Sequence, residues 1–171
     1  MKSLKIWIAL FIGALAMSAC GSAKKAADAD TRQWRYEIEP VATGVQGTYQ
    51  IKVWSYSKDP NVAAEQAKKN AVHGVIFKGI AGTQRLQSQK ALVTDSNMEE
   101  KRKDFFESFF ADGGAYMKFV NLTNNHLTIA AGDRIKIGKE YKVGIIVSVN
   151  KDALRKELEN AGIIAKLGDI F

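Results

Sequence analysis

The chain offers few groups able to act as acid, base or nucleophile near neutral pH: two histidines, His73 and His126, and a single cysteine, Cys20. A histidine base needs a carboxylate to orient it and a nucleophile within hydrogen-bond reach. Neither histidine has one at a motif spacing: His73 falls late in an alanine-rich helical stretch, and His126 follows Asn124 and Asn125 in a turn. There is no His-x-x-x-His pair, no cysteine pair and no aspartate-rich calcium loop, so no metal and no cofactor is expected. Gly132–Glu140 contains Gly138-Lys139, but the glycine spacing is not that of a phosphate loop, and Glu140 stands where a serine or threonine is needed. No Gly-x-Ser-x-Gly elbow occurs. The carboxylate pairs Glu99/Glu100 and Asp28/Asp30 fall at a helix start and in a small-residue segment, where capping and solvation account for them. The expectation is no catalytic residue. A hydrolase would need His73 or His126 within about 3.5 Å of an acid or hydroxyl in a cleft.

The elements that must position any site belong to one domain. The chain has 171 residues, of which 46% are hydrophobic, 9% aromatic and 25% charged, an ordinary globular balance that excludes a disordered, collagenous or polytopic membrane chain. Its 25 Lys and Arg exceed its 18 Asp and Glu, but they are scattered among the acids rather than striped, which argues against nucleic acid. The excess suits solubility, and secondarily anionic headgroups or envelope polymers.

Lys2 and Lys5 precede an apolar run from Ile6 to Met17, then Ser18-Ala19-Cys20-Gly21. A run this short is a secretory signal rather than a span, which needs about 20 residues. Small residues directly before the only cysteine resemble the lipobox of bacterial lipoproteins, with Met17 in place of the usual leucine. That resemblance implies cleavage before Cys20, acylation of its thiol, and, since Gly21 rather than aspartate follows, sorting to the outer membrane. Removing residues 1–19, with Lys2 and Lys5, leaves 152 residues and lowers the formal charge from +7 to +5. Residues 20–33 hold no large apolar side chain and form a tether; residues 34–171 form the domain.

Within that domain Trp34, Tyr36 and Ile38 alternate with charges in a strand closed by Pro40, and Tyr49, Ile51 and Val53 mark a second strand over 48–57. Asp59-Pro60 is an N-cap with proline at the first helical position, opening a helix over 61–77 with alanines on its inner stripe. A long loop covers 79–95. Ser96-Asn97-Met98-Glu99 has the form of a capping box, predicting a helix over 97–111 that stops at Gly113-Gly114. Strands are expected near 115–120, 126–130, 134–138 and, most clearly, 141–149; Asn150 then caps a last helix ending at Gly162, with an apolar tail that docks. The order lacks the regular alternation of a doubly wound sheet. It predicts an α+β fold: a single mixed or antiparallel sheet with the alanine-rich helix and the C-terminal helix packed on one face.

Trp54 and Tyr56 fall on the strand face opposite Tyr49, Ile51 and Val53. If helices cover only one face they form a candidate partner contact. Phe105, Phe106, Phe109 and Phe110 make a stripe wider than one seam, mostly for the core.

The lipobox, the tether, Gly47–Trp54, Ala63–Ala71 and Tyr141–Val149 together resemble small envelope lipoproteins of Gram-negative bacteria. The strand, alanine-rich helix and returning strand, over about residues 47–80 and 140–160, are also similar to a module of flagellar-assembly lipoproteins and to the N-terminal domain of the periplasmic Tol translocation protein. The resemblance implies a non-enzymatic binding or assembly role at the outer membrane, on its periplasmic side or alternatively at the cell surface, with the membrane and an envelope protein as partners. It carries over no site residue except Cys20. The alternatives are a structural lipoprotein touching peptidoglycan or its own copies, and a tethered hydrolase.

Overall fold

A computed structural model describes residues 34–44, 47–84, 86–123 and 129–166. The signal segment, Cys20, the tether, His126 and the end of the apolar tail lie outside the described residues. The fold is α+β. Its sheet is formed by β1 (Tyr36–Thr43), β2 (Thr48–Ser57), β3 (Val120–Leu122), β4 (Arg134–Ile137) and β5 (Glu140–Asn150), and every pairing is antiparallel. The spatial order is β1-β2-β5-β3. β4 lies on the same side of β5 as β3, because β2 occupies the other, and pairs with residues 140–143 while β3 pairs with 147–149.

Period-two alternation decides the two faces. Ile51, Val53 and Ser55 of β2 and Val143, Ile145, Val147 and Val149 of β5 point inward and are buried. Against them packs α1 (Pro60–His73), whose Asp59 cap accepts from the Asn61 N–H at 2.8 Å. Ala63, Ala64, Ala67 and Ala71 line its buried stripe, and their small size lets the helix axis come close to the sheet. Gly74 adds to this closeness: a Cβ there would overlap the terminal methyl of Ile38 of β1, which would have to swing aside. From Gly74 to Lys78 the helix continues as a π turn, closed by the Gly79 N–H on the Gly74 carbonyl at 2.8 Å. The widened turn leaves the Val75 and Ile76 carbonyls to accept from the amides of Leu92 and Val93, which pins the end of the long loop to the core. The last helix, α4 (Lys151–Asn160), has the expected cap, Asn150 Oδ1 accepting from the Ala153 N–H at 3.0 Å, and buries Leu154 and Leu158 in the same core.

Four expectations are corrected. Pro40 does not close β1: the strand runs on to Thr43 through a register shift between Pro40 and Ala42. β1 is an edge, so a missing N–H facing outward breaks no ladder bond. The helix expected over 97–111 is two short ones, α2 (Met98–Lys101) and α3 (Lys103–Phe109), broken at Arg102. Arg102 leaves helical geometry and donates to the carbonyls of Ala161 and Gly162. No capping box forms there. Asp95 Oδ1 accepts from the Asn97 N–H instead, at 2.9 Å. Finally, Ala115–Phe119 is a 3-10 turn rather than a strand, and Ile129 and Ala130 are not in a strand.

Candidate functional site

The carboxylate missing from the capping box is used elsewhere. Glu99 Oε1 accepts from the indole N–H of Trp34 at 2.9 Å, and Glu99 Oε2 lies 3.3 Å from His73 Nε2. On the other side of the ring, His73 Nδ1 meets the Tyr36 hydroxyl at 2.6 Å. A carboxylate can only accept, so Nε2 carries the proton and Nδ1 accepts from Tyr36. Trp34 lies over the imidazole as a lid, with ring centroids 3.7 Å apart and planes 19° from parallel. Its backbone sits at φ 45, a left-handed conformation costly for a bulky residue. The stack and the bond to Glu99 hold it there.

Burial sets the charges. It pushes the His73 imidazole below its ordinary value, and the Glu99 bond only partly restores it, so the ring is neutral at physiological pH. Burial, with the Glu99 charge nearby, pushes the Tyr36 hydroxyl far up, which keeps it a donor. Glu99 itself is raised by burial, but His73 and Trp34 outweigh this and hold it ionised. Lys78 Nζ sits 3.7 Å from the centroid of the Tyr36 ring and is pushed down by burial.

Beside this cluster opens a cavity of about 590 Å³. Trp34, Phe106 and Phe110 give it an apolar wall, and Lys69, Glu99, Glu100, Lys103 and Glu107 give it a charged rim. Lys69 is 5% exposed and bonds Asp112 at 3.0 Å. Ser96 also lines the space. Both nitrogens of His73 already have partners, so the ring offers none to activate that hydroxyl. Among the described residues no group of histidine, cysteine or acidic side chains is placed to hold a metal, and no helix is long and apolar enough to cross a membrane.

Trp54 and Tyr56 lie on the sheet face opposite α1, on neighbouring outward positions. α1 packs on the other face, yet Trp54 is only 8% exposed. Its indole lies flat over Gly144, where a Cβ would stand 2.8 Å from the ring, and Lys52 and Lys142 flank it at 5.3 and 5.1 Å from its centroid. Its N–H is buried with no acceptor among the described residues. Tyr56 is half-buried, donates to Glu37 and carries Arg35 over its ring. The surrounding charges pair among themselves, Lys142 with Glu37 and Lys52 with Asp133, each at 2.7 Å, and Arg35 with Glu140 at 2.6 Å.

The four phenylalanines expected for the core divide: Phe106, Phe109 and Phe110 are buried and Phe105 is half-buried. The site that sequence reasoning missed is the Trp34–His73–Glu99–Tyr36 cluster. Its members are separated by up to 65 residues, and each looked ordinary alone: a strand aromatic, a helix histidine, a capping acid. No family model, curated protein or solved structure matches the chain.

Proposed function

We propose that the protein is a lipid-anchored binding or assembly module of the bacterial cell envelope, held by an acylated Cys20 on the periplasmic side of the outer membrane and without catalytic activity. The observation that carries the reading is the cavity under Trp34, where an aromatic wall meets a charged rim and the adjacent imidazole has both nitrogens committed. Such a surface supplies apolar contact and orienting charge but no activated nucleophile. The partner it suits is a protein segment with an apolar anchor and mixed charge. Tyr56 on the outer sheet face is a second contact position; Trp54 beneath its lysines supports it by packing.

Photoreactive residues placed at Lys103 on the cavity rim, at Tyr56, and at Lys156 on the exposed side of α4 test this in cells. Capture of one protein from position 103 or 56 but not 156 supports the reading. No capture from either, with the protein abundant, overturns it.

A second reading, a tethered hydrolase, draws on one observation: His73 lies within reach of both an acid and a hydroxyl beside a cavity. It requires His73 to exchange one partner for substrate. Ester or amide turnover by the purified chain that is lost in His73→Gln would establish it in place of the first.

A further inference from the structure

Among the described residues, two of the four large hydrophobic side chains most open to solvent stand together on the edge strand β4: Ile135 is 45% and Ile137 50% exposed. All four residues of this strand are exposed, and its outer edge pairs with no strand among the described residues. Arg134 and Lys136 alternate with the isoleucines and take the other face of the strand, Arg134 5.0 Å over the Tyr141 ring, and Lys139 follows in the turn; none of the three has an ion-pair partner among the described residues. The nearby acids are already spoken for, Asp133 by Lys52 and Glu140 by Arg35. Exposed apolar side chains on one face of an edge strand and cations without acidic partners on the other face and in its turn are the two contributions that draw a protein onto an anionic bilayer surface, met when the strand enters edge-on.

The position of this hairpin fits such a role. β1 runs antiparallel to β2 and β2 antiparallel to β5, so the start of β1 and the β4–β5 turn at Gly138-Lys139 lie at the same end of the sheet. Arg35, at the start of the domain, bonds Glu140, the residue that follows the turn. Cys20 lies fourteen residue steps before Trp34, enough for roughly 46–50 Å when extended. The chain that comes from the anchor therefore joins the domain beside the hairpin.

We infer that the β4–β5 hairpin is a membrane-contact element: Ile135 and Ile137 enter the headgroup boundary of an anionic leaflet while Arg134, Lys136 and Lys139 contact lipid phosphates. The inference rests on the lipid-anchor reading for its orientation. With the anchor holding the domain close, the contact is occupied more of the time than its own affinity for vesicles would give, because tethering raises its effective concentration.

The test places a tryptophan reporter in the hairpin of the full chain, Ile137→Trp, with Ile135→Trp as a second reporter, and subtracts the emission of the parent chain. Vesicles of phosphatidylcholine with phosphatidylglycerol, with and without brominated acyl chains, are compared with pure phosphatidylcholine. The expected result is a blue-shifted reporter quenched by the bromines in anionic vesicles. Lys136→Glu with Lys139→Glu should weaken that quenching signal about tenfold or more in the lipid titration. A water-like, unquenched emission from both reporters on anionic vesicles overturns the inference, as does equal quenching in neutral ones. Palmitate labelling of Cys20 in cells separates the two readings. Acylation without hairpin quenching removes the hairpin contact alone, and quenching without acylation removes the anchor and leaves the contact.

Discussion

At the scale of single residues the energetics concentrate in the cluster under Trp34, because the His73 ring and the Tyr36 side chain are buried and bond each other, while the half-exposed Glu99 holds the second ring nitrogen. Removing one hydroxyl there leaves a buried acceptor with nothing to bond. Tyr36→Phe strips His73 Nδ1 of its donor and should cost about 1–3 kcal/mol in urea unfolding, out of proportion to the atom lost. The same burial sets a pH dependence. The folded His73 resists protonation, so its contribution to stability is whole above its ordinary value of 6.5. Below that the unfolded chain takes up a proton that the fold refuses, and stability falls with pH toward the depressed folded value. Glu99 is held below its ordinary 4.5, so its contribution is present above 4.5 and is lost lower still, as pH drops through its folded value. Thermal midpoints should therefore decline in two stages on acidification. In His73→Phe, whatever its overall stability, the upper stage below pH 6.5 should vanish; if it persists, another group is responsible.

At the scale of elements, what could be read in advance was what is encoded locally. β2 and β5 announce themselves by an alternation that needs no knowledge of the partner strand, and α1 by Asp59-Pro60 and its alanine stripe. What could not be read was set across the fold. Glu99 has the form of a capping residue, but indole and imidazole donors from distant segments compete for it and win. Arg102 breaks a helix of good local propensity because the carbonyls after α4 accept its guanidinium. Trp54 is apolar on the face away from α1, yet it is sheltered by cross-strand neighbours, the absent side chain of Gly144 and the stem of Lys142. That last arrangement can be tested at the strand. An alanine methyl at position 144 would stand 2.8 Å from a rigid ring and lift it. Gly144→Ala should destabilise by about 1–3 kcal/mol, the usual range for overpacking, and acrylamide should quench the indole more readily. Quenching that stays unchanged would mean the ring does not lie on Gly144. Where β2 passes into α1, Asp59→Ala should cost about 1 kcal/mol in urea unfolding through the lost cap; no measurable loss would place the start of α1 elsewhere.

At the scale of the whole molecule the sheet divides the labour. One face is filled by α1 and α4 into a continuous core, and the other is covered by its own ladder of paired charges and aromatic rings. Among the described residues the cavity under Trp34 and the exposed β4–β5 hairpin are the surfaces that the two proposals use. Trp34 and Arg35, successive residues where the domain begins, touch the cavity and the hairpin respectively. An anchor upstream of Trp34 would thus hold both near the membrane, and their orientation turns on the thiol of Cys20. If that thiol is the acylation and cleavage point that the lipobox resemblance implies, Cys20→Ser blocks both steps at once. The variant should take up no labelled palmitate and should migrate as the longer precursor, retaining the 19 residues before Cys20. Since residues 20–33 have no large apolar side chain to bury, the thermal midpoint of the domain should be the same with or without the modification. A Cys20→Ser chain that still matures to the shorter form would mean an ordinary signal peptide and a domain released from the membrane, and the hairpin would then have to hold it there alone.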